Sequence, residues 1–178
     1  GLMVAGKTDA AGKVSFTIKS TNSTDSAMII DAMDILYSEK VSGFCLVSSD
    51  SDFTRLATRL REAGMLVLGI GEKKTPNPFI VACDKFIYVE IIRNQSEKKE
   101  NTTEKDKINE SIDKITSKEI QLISSTISDL SDEDGWAFLG DVGSLLQKKQ
   151  PNFDSRNYGF EKLNLLIKSL DNFELDQR

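Results

Sequence analysis

The chain has no histidine, two cysteines, three prolines and one tryptophan among its 178 residues. Without histidine there is no Ser-His-Asp or Cys-His relay. With no His and only Cys45 and Cys83 as soft ligands, a zinc site is not expected either. Each cysteine sits inside an apolar stretch and reads as a reduced, packed thiol. No run of about 20 apolar residues exists to cross a bilayer. No secretory leader is visible, so the Asn22-Ser23-Thr24 and Asn94-Gln95-Ser96 sequons carry no expectation of glycosylation. A cytoplasmic protein without membrane contact is expected.

A basic excess is missing too. The net charge is −5, with residues 1–95 balanced and residues 117–178 carrying 7 Lys/Arg against 11 Asp/Glu. Nucleic-acid binding would therefore rest on local cations or on bound metal rather than on overall charge. Chemistry must run on carboxylates, hydroxyls, Lys or Arg.

The apolar pattern is clearest from residue 16 onward. Residues 1–15 lack periodicity and read as a tag remnant or disordered edge, with Phe16-Thr17-Ile18 as a short strand. Asn22-Ser23-Thr24-Asp25 supplies helix-start chemistry, and a helix is expected from Asp25 to about Ser38. Its apolar residues, Met28 to Leu36, surround most of the circumference and predict burial on more than one side.

Phe44-Cys45-Leu46-Val47, Leu66–Ile70 and Phe86–Val89 are short, continuous apolar runs, as in parallel strands covered on both faces. Helices are expected over Phe53–Ala63, stopped by Gly64, and over Pro78–Cys83. Strand, helix, strand, short helix, strand predicts an α/β fold with a parallel sheet.

Residues 94–115 turn into Asn, Ser, Thr, Glu and Lys, a charged linker. Order resumes at the capping box Thr116-Ser117-Lys118-Glu119. Two further helices, about Gly140–Gln147 and Phe160–Leu170, and a strand at Phe173-Glu174-Leu175 give a small winged helix over 116–178. Its expected core is Ile120, Ile123, Ile127, Leu130, Leu145, Leu163, Leu166 and Leu170, with Trp136 against it.

The sharpest chemical signal is Ser48-Ser49-Asp50-Ser51-Asp52-Phe53, at the carboxyl end of a strand and the start of a helix. Ligands of open α/β sheets bind at that edge. Hydrolysis of a phosphodiester calls for hard oxygen ligands around Mg²⁺ or Mn²⁺, which Asp50 and Asp52 could supply; the alternative is that they only cap the helix. Asp25 is the next candidate, or else a dipole partner at its helix start. Asp31, a third of a turn off its face, could support the site, as could Ser48 and Ser49. Lys73, Lys74 and Thr75 follow the next strand at the same edge, where cations could hold a phosphate backbone. Arg55, sharing a face with Arg59, points to RNA or pairs with nearby acids. In the C-terminal region the clustered cations are Lys148, Lys149, Arg156 and Lys162. Gly69-Ile70-Gly71 is too weak for a dinucleotide fingerprint.

These residues carry a resemblance. Residues 22–34, the Phe44–Phe53 segment with its SxDxDF motif, Gly71–Pro76 and Ala82–Phe86 resemble the LabA-like group of NYN domains, over residues 16–93. Residues 116–178 resemble an OST-HTH/LOTUS domain, through Gly135-Trp136-Ala137, Gly140–Gly143, Pro151–Asp154, Tyr158-Gly159-Phe160, Leu163 and Phe173–Leu175. The resemblance implies a PIN-like α/β fold and a Mg²⁺- or Mn²⁺-dependent endoribonuclease acting on single-stranded RNA. Asp25, Asp50 and Asp52 would then be the catalytic, metal-binding residues, and the LOTUS module would select RNA or a protein partner. A homodimer remains open. The sequence departs from the NYN pattern in one respect: no strand ending in an acid precedes Asp25, so the first strand and its carboxylate are expected to be missing and the activity of this piece is in doubt. A non-catalytic RNA- or protein-binding regulator is the competing reading.

Overall fold

The structure is a computed structural model that describes residues 2–8, 14–20, 25–38, 41–93 and 114–176; for residues 7–8, 14–20 and 25 it describes the backbone alone. The chain divides into two compact units, residues 1–89 and 90–178.

The first unit is built on a five-stranded sheet of order β2-β1-β3-β4-β5. Its strands are β1 (Leu2–Thr8), β2 (Val14–Ser20), β3 (Gly43–Val47), β4 (Leu66–Gly71) and β5 (Lys85–Tyr88). Helices α1 (Asp25–Tyr37), α2 (Thr54–Glu62) and α3 (Asn77–Ala82) connect them, and residues 89–93 are helical. Strands β3, β4 and β5 pair in parallel, as their continuous apolar runs predict.

The N-terminal segment corrects the sequence reading. Residues 2–8, expected to lack regular structure, form β1, which pairs antiparallel with both β2 and β3. Met3 and Ala5 are fully buried. The sheet is therefore mixed rather than purely parallel. The run Leu2-Met3-Val4-Ala5 is short and broken by Gly6, too slight a pattern to stand out against the Gly, Lys and Thr around it. Strand β1 carries no Asp or Glu, so it does not supply the acid that the NYN pattern places ahead of Asp25.

Helix α1 buries one face, Met28, Ala32 and Leu36, at i, i+4 and i+8. Ile30 and Tyr37 are 61% and 69% exposed, so the expectation of burial on several sides is not met. The helix packs on β1, β2 and the turn at Ser51–Phe53. Helix α2 buries Leu56, Ala57 and Leu60 and ends at Gly64, which adopts φ +80° as a helix-stop glycine does.

A polar lock holds the amino edge of the parallel strands. The Val67 amide donates to Asp84 Oδ2 at 2.8 Å, and the Asp84 amide donates to the Val67 carbonyl at 2.9 Å. The same carboxylate takes Arg61 Nε at 3.0 Å, and Arg61 Nη1 reaches the carbonyls of Val81 and Ala82. One side chain thus prolongs the β4–β5 ladder and fastens α2 to the end of α3. Cys83, beside it, is fully buried; burial pushes its thiol up to about 12, which leaves it inert. Cys45 is half-buried, and burial raises its thiol as well.

The second unit contains α4 (Ser117–Leu130), α5 (Leu139–Lys149), a 3-10 turn (Ser155–Tyr158) and α6 (Leu163–Lys168). The capping box is formed as its sequence predicts. Thr116 Oγ1 accepts from the Lys118 amide, and Glu119 accepts from the Thr116 amide and hydroxyl. The core is Ile123, Val142, Leu146, Phe153, Leu166 and Leu170, flanked by Ile120, Ile127 and Leu163. Leu130 is 37% exposed, and α5 turns Val142 and Leu146 inward instead of the expected Leu145. The third helix is shorter than Phe160–Leu170, because Gly159 at φ +83° ends the 3-10 turn and the backbone stays extended at Lys162, just before the next helix. Phe173-Glu174-Leu175 is not a strand. The linker reading of residues 94–115 falls almost wholly outside the described residues.

Two expectations follow. Asp84→Ala strands the fully buried Val67 amide and should cost about 1–3 kcal/mol in urea unfolding; an unchanged midpoint would show that the lock is idle. For Glu119, burial raises the carboxyl, but the Thr116 bonds and Lys118 outweigh it and hold it below its usual value. Its contribution is complete above the unfolded-state value and disappears as pH falls through the lower folded-state value. Thr116→Ala should cost about 0.5–2 kcal/mol at neutral pH, and the gap from the parent chain should narrow on acidification. Thermal melts across that range provide the check.

Candidate functional site

The loops leaving β3 and β4 meet at the carboxyl edge of the parallel strands. The Ser48 amide donates to the Ile70 carbonyl at 2.9 Å, carrying the β3–β4 pairing one step past the strand. Ser49 Oγ accepts from the Glu72 amide at 2.8 Å. Gly71 makes this approach feasible: a Cβ there would lie 2.5 Å from the Ser48 carbonyl oxygen and 2.7 Å from Thr75 Oγ1. Gly69 serves the core in the same way, since a Cβ there would strike the Phe86 ring at 2.5 Å and Cys83 Sγ at 2.8 Å. The Gly-Ile-Gly signal is therefore a packing device.

The β3 loop folds on its own polar side chains. The Asp50 amide donates to Ser48 Oγ at 3.1 Å, and Asp50 Oδ1 accepts the Asp52 amide at 3.0 Å, capping the turn at Ser51–Phe53. Thr54 Oγ1 donates to the Ser51 carbonyl at 2.5 Å, and Phe53 is buried beneath. The capping alternative for Asp50 is realised, but with one oxygen only. Both Asp50 and Asp52 remain exposed.

Ser48, Ser49, Asp50 and Ser51 then form one wall of an open cleft of about 470 Å³, and Glu72, Lys74 and Pro76 form the other. The cleft joins Asp50 with Ser48, Ser49 and Lys74. Asp52 is next to Asp50 but is not among the lining residues. Glu72 is a site residue that sequence reasoning missed; its position just past β4, at the edge where ligands gather, was the available signal. It pairs with Lys74 at 2.6 Å.

The remaining candidates divide. Thr75 is 5% exposed, and its hydroxyl donates to the Glu72 carbonyl at 2.6 Å, so it closes the turn instead of facing a ligand. Lys73 and Asp31 are half-buried and engaged in further interactions. Arg55 is exposed on the first turn of α2. Asp25 is the first residue of α1, but its side chain lies outside the described residues. Among the described residues no three His, Cys, Asp or Glu side chains come together to hold a metal ion. In the second unit Lys149 is tied to Asp129 at 2.6 Å. Arg156 forms a fork with Asp154, Nε to Oδ1 at 2.9 Å and Nη2 to Oδ2 at 2.6 Å, whose hydrogen bonds raise the guanidinium value further. Lys148 and Lys162 are exposed.

Gly71→Ala should part the two loops and cost about 1–3 kcal/mol, because the obstructing atom is a backbone oxygen and not a side chain that can swing away. Equilibrium unfolding measures this, and a variant as stable as the parent would contradict the close approach.

Comparison with known proteins gives the same division of the chain. A model of the NYN domain matches residues 6–91, and a model of the OST-HTH/LOTUS domain matches residues 110–178. No curated protein and no solved structure matches. No helix among the described residues is long and apolar enough to cross a membrane. The sheet with its flanking helices fits a PIN-like α/β fold, and the small helical unit fits a LOTUS domain. The chain carries an NYN domain at residues 6–91 followed by an OST-HTH/LOTUS domain at residues 110–178, a nuclease-like and an RNA-binding type of module whose pairing supports an RNA-related function.

Proposed function

We propose that the protein is a metal-dependent endoribonuclease of the LabA-like group that cuts single-stranded RNA, with the LOTUS module selecting the RNA or a partner. The observation that carries this is the Ser48–Asp52 turn, exposed at the carboxyl edge of the parallel strands of an NYN domain, beside the Glu72–Lys74 loop. The donors there are carboxylates and hydroxyls, hard oxygens that suit Mg²⁺ or Mn²⁺ and not a softer ion. Asp50 and Asp52, with Asp25 from the start of α1, are the residues that would hold the ion. Bound there, it would offset phosphodiester charge and assist attack by water.

The chain's own groups have distinct tasks. Asp50 uses Oδ1 to fix the turn, which leaves Oδ2 for a ligand. Ser48 and Ser49 hold the loop by accepting backbone amides, so they support the site without titrating. Lys74 brings a cation to the cleft wall, where an RNA phosphate could replace its Glu72 partner. Arg55 and Lys73 are further cations of the NYN domain, and Lys148 and Lys162 are exposed cations of the LOTUS domain that could contact RNA separately. Few phosphate contacts imply modest affinity with a clear salt dependence.

The chain extended at its amino end by a strand that ends in the missing acid should cleave a labelled single-stranded RNA in Mg²⁺ or Mn²⁺ and stop when the metal is chelated. Asp50→Asn should reduce cleavage to background while the fold is retained, because the amide still accepts the Asp52 N–H but no longer offers a charged oxygen to a hard cation. Binding of RNA without cleavage by the extended chain under either metal would favour the non-catalytic regulator.

A further inference from the structure

The LOTUS unit contains a cavity of about 820 Å³, larger than the cleft of the NYN domain. Trp136, Phe138 and Leu175 give it apolar walls. Phe138 is 76% exposed, unusual for a ring of this size in a folded unit. Its position is supported from below: Gly140 lies under the ring, and a Cβ there would come within 2.8 Å of Phe138 Cε1. Asp132 also lines the cavity and accepts the Trp136 amide at 2.8 Å, which fixes the turn that bears the indole.

The charge on the walls selects the guest. Among the described residues that line it, the acids are Asp132, Glu174 and Asp176 and the cation is Lys168. Asn164 is in the wall too, and its Oδ1 is buried with no hydrogen-bond donor. Aromatic faces, an excess of carboxylates and a spare acceptor all favour a cation that carries N–H donors. An RNA phosphate would meet repulsion here, whereas a guanidinium or ammonium on an apolar stem would not.

We infer that this cavity is a docking site for an Arg- or Lys-bearing segment of a protein partner, with the cationic head among the carboxylates and the stem against Trp136 and Phe138. This deepens the partner-selection part of the function proposed above. RNA cleavage does not enter its test, so the two readings can fail separately.

Trp136 is the only tryptophan in the chain, so its fluorescence reports the cavity directly. The full chain is titrated with a short peptide of alternating leucine and arginine, with its glutamate counterpart, and with an oligouridine RNA. The arginine peptide should shift Trp136 emission saturably, and added salt should weaken it. The Glu174→Gln, Asp176→Asn pair should lower its affinity about two- to thirtyfold. Phe138→Ala removes an exposed ring, leaves the fold intact and should weaken binding as well. Gly140→Ala, which displaces that ring, should do the same. The proposal is overturned if the glutamate peptide or the RNA shifts the emission as strongly as the arginine peptide, if the arginine peptide gives no saturable shift, or if these variants bind it as the parent does.

Discussion

The candidate site of the NYN domain depends on the contact between Gly71 and the Ser48 carbonyl. Two parallel strands end side by side, and the loops that leave them can zip together only if nothing projects from position 71. The Ser48 amide, the Ser49 hydroxyl and the Glu72 amide then engage across the gap, and the cleft takes its width from them. Asp50 is presented to solvent because the backbone beneath it has already been fixed by neighbours that carry no charge. Preorganisation of this kind places acids near one another before any ligand arrives, at a cost met by hydrogen bonds instead of by the ligand.

The parallel half of the sheet was legible because its strands read as unbroken apolar runs, although one face is buried and the other only half-buried. The helix stop at Gly64 and the capping box at Thr116 were legible because each depends on a few adjacent residues. Of the N-terminal hairpin only β2 was, since the apolar run of β1 stops at Gly6 and its meaning comes from long-range pairing with Val47 through Gly43. The surroundings of the LOTUS core were only partly readable. Helical spacing identified Ile123 and Leu166, but Leu145 and Leu146 are adjacent and equally apolar, and only the helix's rotation on its neighbours chooses between them.

Of the acids singled out in the sequence, Asp50 lines the cleft, Asp52 stands next to it in the chain and the Asp25 side chain lies outside the described residues. Asp50 announced itself by position after a buried strand. Glu72 did not, because an isolated Glu in a loop has the same composition signal as any solvated residue. Thr75 looked like a ligand contact and is a turn closer, a difference that depends on a single hydroxyl rotamer. Among the cations, sequence clustering overstated what is available: Arg156 and Lys149 are held by acids that lie close in space, and only one of these acids, Asp154, is close in sequence.

The Asp84 lock and the Asp50 turn lie at opposite ends of the same strands. One carboxylate is consumed by two intramolecular tasks, and the other keeps an oxygen in reserve. Since the two ends share no side chain, mutational effects at them should combine additively. The NYN domain thus has a stability reserve at one pole that can be strengthened or weakened without touching the acids at the other, which leaves the functional pole open to variation as long as the opposite pole is kept.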